Sequence, residues 1–201
     1  MIDSQLRTVG VTDESVLAAM NTVPRENFVP QALAGVAYAD AALEVAPGRW
    51  LLEPMVLALL LQNVGIKAGD RVLVVGAATG YSAAVAAQIG ADVIALESDP
   101  QLAGAATAAD VKTAIGPLPD GWAAGAPYDV VMFEGAIETV PPAFAAQLAP
   151  GGRLAAVVRQ SGVGGAMAGL LVGGSKIGGL PFLEVAAKPL PGFAALREFS
   201  F

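Results

Sequence analysis

The sequence predicts an α/β fold with a doubly wound, mostly parallel sheet, preceded by helices and closed by a C-terminal antiparallel hairpin. Residues 72–75, "VLVV", form a continuous and mostly β-branched apolar run, which is typical of a strand buried on both faces. From that run to about residue 158, strand patterns alternate with helical ones. Such alternation is typical of parallel strands joined by crossover helices.

The N-terminal third, residues 1–66, has helical patterns. "TDESVLAAM" has acidic residues in its first turn and Thr12 as a candidate N-cap. "VPRENFVP" is a connection bounded by prolines. "EPMVLALLLQNVGI" predicts a second helix with Pro54 in its first turn, where a missing N–H is tolerated.

The middle part, residues 67–158, carries the sheet. The five predicted strands lie in "VLVV", "ADVIALESD", "VKTAIG", "YDVVMFEGA" and "RLAAVV". The predicted helices lie in "YSAAVAAQIG", which ends at Gly90, in "PQLAGAATAAD" and in "PPAFAAQLAPGG". No linker interrupts these patterns, so residues 1–201 are expected to form one domain.

The last part, residues 159–201, breaks the alternation. "SGVGGAMAGLLVGGSKIGGL" contains eight glycines and predicts loose turns. "FLEVAAKPLPGF" predicts one more strand. Together they favour an antiparallel hairpin at the end of the sheet.

Composition excludes several classes of function. The chain has neither cysteine nor histidine, so it offers no disulfide, no thiolate nucleophile and no histidine-based triad, and we expect no metal site. A net charge of −7 argues against nucleic-acid binding, which depends on Lys and Arg neutralising phosphates. The aliphatic run Met55–Leu61 is far shorter than the ~20 residues that a membrane span needs. Without a signal-peptide pattern, the expectation is a cytoplasmic monomer or weak homodimer.

The most informative pair of motifs is "VLVVGAATGY" followed by "VIALE". A strand leads into a glycine-containing turn, residues 76–80, and a helix begins at about Tyr81. Such a turn lets a ligand approach the backbone and directs helix N–H groups at an anion. Glu97 ends the next strand, where an acidic residue commonly accepts hydrogen bonds from ribose hydroxyls. This pair is compatible with a dinucleotide or with S-adenosylmethionine, and also with Gly76 and Gly80 serving only tight packing.

With these motifs and several others, the chain resembles the protein-L-isoaspartate O-methyltransferase family. The resemblance covers roughly residues 1–158 and includes "MIDSQL", "GVTDESVLAAMNTVPRENFVP", "AYAD", "DGWAAGAPYDVV" and "VPPAFAAQLAPGGRL". It implies a Rossmann-like methyltransferase fold that uses S-adenosylmethionine. It also implies that the cofactor binds at Gly76, Ala77, Ala78, Thr79, Gly80, Tyr81, Glu97, Ser98, Gly116, Pro117 and Leu118.

Two departures from the family pattern affect the cofactor site. Ala78 stands where the family usually has glycine, and a Cβ at positive φ costs on the order of 1 kcal/mol. Pro117 stands where the family's Gly-Asp-Gly has the Asp that faces the adenine. The segment between Glu97 and Gly116 is also short for the family. Asp120 could substitute for the missing acceptor, although "PDG" is typical of a turn.

The third departure is in the loop that the family uses to position the acceptor. The family has Thr-x-Ser-x-Pro where this chain has Trp50, Leu51, Leu52, Glu53 and Pro54. Each lost charge-assisted hydrogen bond is worth about 1.5–3 kcal/mol. The resemblance thus leaves open whether methyl transfer survives in this chain.

Four residues mark the candidate catalytic position. Arg49 could hold a carboxylate through two parallel N–H bonds, or could be an ordinary loop arginine. Trp50 and Leu52 replace the two hydroxyls, with Trp50 stacking on a substrate or filling the pocket. Glu134, after the fourth predicted strand, would repel an anionic acceptor but could orient a neutral one.

Three functions follow from the resemblance and its departures. The first is methyl-ester formation on the free carboxylate of isoaspartyl residues in peptides or proteins, which initiates repair. The second is a non-catalytic member that binds the cofactor or a partner. The third is a methyltransferase for a neutral small molecule. A nicotinamide oxidoreductase is disfavoured because the usual G-x-G-x-x-G is absent.

Overall fold

A single mixed sheet organises the chain in the computed structural model, which describes residues 1–160 and 163–195. The strands in the described residues are β1 (Leu43–Ala46), β2 (Arg49–Leu51), β3 (Arg71–Val75), β4 (Asp92–Glu97), β5 (Thr113–Ile115), β6 (Tyr128–Ile137), β7 (Leu148–Gln160), β8 (Val163–Val172), β9 (Lys176–Gly178) and β10 (Leu183–Val185). The sheet order is β10-β8-β7-β6-β3-β4-β5, with β9 also paired to β8. Neighbours from β7 to β5 are parallel, and β8 pairs antiparallel with β7, β9 and β10. The predicted fold class is confirmed.

The α-helices in the described residues are α1 (Glu14–Thr22), α2 (Pro54–Val64), α3 (Tyr81–Ile89) and α4 (Pro100–Ala108). The α1 N-cap is Asp13 rather than Thr12, because the Asp13 carboxylate accepts from the backbone N–H groups of Ser15 and Val16. Helix α2 has Pro54 in its first turn, as predicted, and α3 ends at Ile89 with the predicted Gly90 as its C-cap. No helix in these ranges is both long and apolar enough to cross a membrane.

The two faces of the sheet are covered differently. Helices α1, α2 and α3 pack on one face and share its apolar core. On the other face, Phe144 and Phe193 both pack edge-on against Phe133, at ring-centroid distances of 5.1 and 5.3 Å. Phe144 belongs to the short 3-10 turn Pro142–Ala146, and Phe193 to a C-terminal stretch without regular structure. This face therefore depends on irregular segments for its cover.

Three parts of the chain differ from expectation. Residues 43–51, expected in a helical region, form the β1–β2 hairpin with a turn at Gly48, whose φ is +70°. The helix expected in "PPAFAAQLAPGG" is only the turn Pro142–Ala146, because two prolines remove backbone donors and β7 begins at Leu148. The glycine-rich run is largely the ten-residue strand β8. Its glycines have a packing role, since a Cβ on Gly164 or Gly169 would collide with a neighbouring strand.

Candidate active site at the carboxyl edge of the sheet

The glycine-containing turn joins β3 to α3 at the carboxyl edge of the sheet. Gly76 and Gly80 have φ values of +72° and +95°. Ala78 has φ +50° and no exposed surface. The turn thus requires a left-handed backbone at residue 78, and alanine is strained there by about 1 kcal/mol. Thr79 donates its hydroxyl to the carbonyl of Phe28, which ties the turn to the N-terminal part.

Glu97 lies beside this turn, at the end of β4, and is completely buried. One carboxylate oxygen accepts from the backbone N–H of Ala78 at 2.8 Å and from the guanidinium of Arg49. The other accepts from the N–H groups of Ser98 and Asp99, at 2.7 and 3.1 Å. The structure therefore brings the predicted turn, Glu97 and Ser98 together, and these four donors, with the Ser98 hydroxyl at 3.3 Å as a fifth, hold the carboxylate in place.

The predicted adenine side begins directly after β5. Gly116 donates its N–H to the carbonyl of Glu97 at 3.1 Å and lies against the ring of Trp122. Pro117 is exposed and precedes a 3-10 turn, Leu118–Asp120, in which Leu118 is buried. "PDG" is thus a turn, and no acceptor replaces the family's Asp at residue 117 itself.

The loop that departs from the family pattern is carried by the β1–β2 hairpin. Arg49 is only 7% exposed and its guanidinium faces Glu97, while Leu52 is buried and Trp50 half-buried. The ammonium of Lys188 lies 5.0 Å from the centroid of the Trp50 ring, a cation–π distance. Leu52 is fixed through its backbone, since its N–H donates to Glu134 at 2.9 Å and its carbonyl accepts from Arg25 at 2.7 Å.

Glu134 is almost completely buried under this loop. Its second oxygen accepts from the hydroxyl of Ser82. Burial raises the pKa of the Glu134 carboxyl above its usual range, opposed in part by the bonds from Ser82 and Leu52 and by the nearby charge of Arg25. The geometry makes Glu134 a support for the backbone of the loop.

Arg25 and Tyr81 complete this buried group. Arg25 also donates to the carbonyl of Ala37 at 2.8 Å, and its guanidinium lies 4.6 Å from the centroid of the Tyr81 ring. Burial raises the pKa of the Tyr81 hydroxyl to about 12. The sequence analysis does not include Arg25 or Ser82 in the site. Arg25 could have been found, because it lies in "VPRENF", which is part of the family resemblance.

A further element lies over the site. Residues 186–195, here called the covering segment, run along the end of β6, and Leu190 packs against Gly76. No group of three or more acidic side chains that could hold a metal ion occurs in residues 1–160 and 163–195.

Comparison with known proteins identifies the family. A sequence profile described as protein-L-isoaspartate(D-aspartate) O-methyltransferase matches residues 1–166. The chain belongs to this family. The covering segment lies beyond the matched residues.

Relatives within the family cover most of the chain. The protein-L-isoaspartate O-methyltransferase of Methylorubrum extorquens is 43% identical over 160 residues, which are 77% of this chain and 70% of the relative. That of Methanoculleus marisnigri is 35% identical over 165 residues, 79% of this chain and 75% of the relative.

Solved structures agree with the fold. A protein-L-isoaspartate O-methyltransferase structure superposes with a TM-score of 0.76 at 25% identity, covering 93% of this chain, and the chain spans 64% of that protein. A family structure from Plasmodium falciparum, in complex with S-adenosyl-L-homocysteine, superposes with a TM-score of 0.75 at 18% identity, covering 92% of this chain and 94% of that one. The resemblance stated from the sequence is confirmed.

Proposed function

We propose that the chain is an S-adenosylmethionine-dependent methyltransferase that forms methyl esters on the free carboxylate of isoaspartyl residues, at a rate limited by its altered loop. The observation that carries the proposal is the junction of the turn at residues 76–80 with the buried Glu97, inside a fold that belongs to this family. A glycine turn followed by an acid at the next strand end is the arrangement that receives a nucleoside ligand in open α/β sheets.

The glycine turn and Glu97 fit the cofactor, whereas Pro117 does not. The turn Gly76–Tyr81 has the left-handed backbone that lets a ligand approach, and the carboxylate of Glu97 would hold the ribose hydroxyls. Pro117 offers neither a side-chain acceptor nor a backbone N–H to an adenine ring. When bound, the cofactor would supply a methyl group on a positively charged sulfur.

Methyl transfer to a carboxylate requires no proton transfer by the protein. A carboxylate acceptor with a pKa near ~3.5 is ionised at neutral pH, so no general base is needed. What the chain must provide is orientation and exclusion of water. The buried Leu52 and the half-buried Trp50 offer apolar side chains that exclude water, and the Glu134 carboxylate beneath them is buried as well. Leu52 has no hydroxyl to orient an acceptor. Arg49 directly precedes the altered loop and, once released from Glu97, could bind the acceptor carboxylate.

A second candidate function is cofactor binding without methyl transfer. It is favoured by the hydrogen bond between the backbone N–H of Leu52 and the carboxylate of Glu134, because that N–H of the altered loop is then not free to bind an acceptor. A neutral acceptor anchored by Glu134 would require that side chain to release Leu52 and Ser82, so the geometry favours this third alternative least.

The proposed partners are isoaspartyl-containing peptides or proteins in the cytoplasm, bound by a monomer or weak homodimer. The test is transfer of labelled methyl from S-adenosylmethionine to an isoaspartyl peptide, with the aspartyl isomer as control. Label in the isoaspartyl peptide alone supports the repair activity. Cofactor binding without label supports the non-catalytic alternative.

A further inference from the structure

The covering segment is bound to the sheet edge by regular backbone hydrogen bonds. Ala136, near the end of β6, donates to the carbonyl of Lys188 at 2.8 Å and accepts from the N–H of Leu190 at 2.7 Å. Two residues further on, Glu138 donates to the carbonyl of Phe193 at 3.0 Å. The segment thus continues the pairing of β6 past the carboxyl edge of the sheet.

Side chains of this segment pack directly against the turn that should receive the cofactor. Leu190 is 4% exposed, and a Cβ added at Gly76 would lie 2.5 Å from its Cδ1 atom. A Cβ added at Gly192 would lie 2.8 Å from Cγ of Pro119, in the turn on the adenine side. The segment therefore reaches from the glycine turn to the adenine side. In open α/β sheets, this crevice at the carboxyl ends of the strands is where ligands bind.

Arg49 also lies against the glycine turn in this crevice. Its guanidinium engages Glu97, the acceptor predicted for the ribose hydroxyls, and its Nη2 atom would lie 3.2 Å from a Cβ added at Gly76. Its Nη1 atom is buried without a hydrogen-bond partner. Arg49 and Leu190 thus meet over the same glycine, and together they fill the space beside it.

We propose that the chain holds its own cofactor crevice closed, and that the cofactor enters by displacing Leu190 from Gly76 and Arg49 from Glu97. This inference rests on the proposed function, which places the cofactor in this crevice. A ligand that binds only the open form has an apparent Kd equal to its intrinsic Kd divided by the fraction of open molecules. Changes that weaken the closure should therefore tighten binding.

The experiment measures S-adenosylhomocysteine binding by titration calorimetry in the wild-type chain and in four variants of it. Leu190→Ala and Arg49→Gln each remove one closing contact, and circular dichroism shows whether they remain folded. Leu180→Ala and Arg7→Gln are the matched controls, since Leu180 is 87% exposed and Arg7 pairs with Glu14 at the surface. We expect the two closure variants to bind at least about tenfold more tightly than wild type, and the controls to match wild type.

Hydrogen exchange gives a second readout on the unaltered protein. The amide of Leu190, which donates to Ala136, should exchange faster when S-adenosylhomocysteine is added, because that hydrogen bond opens.

Equal affinity in all five proteins, or slower exchange at Leu190, overturns the closure and leaves the proposed function standing. Weaker binding in both closure variants also overturns it, since these residues would then hold the ligand. No binding at millimolar ligand in any of the proteins overturns the proposed function together with the closure.

Discussion

Arg49 donates its guanidinium to the carboxylate of Glu97, joining the altered loop to the end of β4, and the two side chains are only 8% and 1% exposed. Such a pair stabilises the fold only while it is intact, because removal of one partner leaves a buried charge uncompensated. It also places Arg49, which directly precedes the altered loop, on the carboxylate expected to bind ribose. Stability and cofactor binding are therefore linked through one ion pair.

The first prediction concerns this pair. Glu97→Ala should lower the free energy of unfolding by about 3–5 kcal/mol, because Arg49 would remain buried without a counter-charge. It should also abolish calorimetric binding of S-adenosylhomocysteine. Urea unfolding and calorimetry check both parts, with Glu184→Ala on the exposed side of β10 as control. Retained affinity would show that Glu97 is not the ribose acceptor.

The second prediction concerns the strained turn. Ala78→Gly should raise the free energy of unfolding by about 1 kcal/mol, because φ is +50° at this residue. The neighbouring Ala77→Gly is the control and should not stabilise the protein, since Ala77 is not among the residues with positive φ. Urea unfolding of both variants decides the matter. A loss of stability in Ala78→Gly would mean that the turn is not strained.

The third prediction compares the two departures in the cofactor site. Pro117→Asp should tighten S-adenosylhomocysteine binding more than Ala78→Gly does, because Pro117 lacks both a side-chain acceptor and a backbone N–H where an adenine is expected. Calorimetric Kd values for the two variants and wild type measure the order. The reverse order would make the glycine turn the dominant weakness.

The sequence predicts the parts of the site that are local along the chain. The strand, turn and helix around Gly76 and the acid at the end of β4 follow from short patterns, because hydrogen bonding and sterics over a few residues determine them. The cost at Ala78 is instead implied by the family resemblance, since the family usually has glycine at this position. The hairpin at residues 43–51 was missed because its strands have only four and three residues.

Contacts between distant parts of the chain could not be predicted in this way. Leu52 and Glu134 are 82 residues apart, and no local pattern shows that a strand-end carboxylate will accept from that backbone N–H. The same holds for Leu190, whose sequence context predicts a strand and whose position over Gly76 depends on pairing with the end of β6. The glycines of β8 predict turns locally, but close packing between strands explains them.

The fourth prediction concerns pH. Burial raises the pKa of Glu134 in the folded protein above its value in the unfolded chain, so the protonated form favours folding. The stability that this group contributes is present below the unfolded pKa of about 4.3 and is lost as the pH rises through the folded pKa. Glu134→Gln keeps an oxygen acceptor for the N–H of Leu52 and offers an amide N–H to the Ser82 hydroxyl, which then accepts, and it removes the titration.

Urea unfolding of wild type and Glu134→Gln between pH 4 and pH 8 checks this sign. The stability of the variant should increase relative to that of wild type as the pH rises. If the difference in free energy of unfolding between the variant and wild type stays constant with pH, or changes in favour of wild type as the pH rises, the pKa of Glu134 is not raised.

We propose that the altered loop limits methyl transfer more than the departures in the cofactor site do. The most direct measurement is the rate of labelled methyl transfer from S-adenosylmethionine to an isoaspartyl peptide, compared between wild type and Trp50→Thr/Leu52→Ser. Loss of one charge-assisted hydrogen bond lowers a rate roughly ten- to a hundredfold, and two are missing here. We predict that the double variant is at least about a hundredfold faster, and that Arg49→Ala abolishes the remaining wild-type rate. Equal rates in wild type and the double variant, unaffected by Arg49→Ala, would contradict the account.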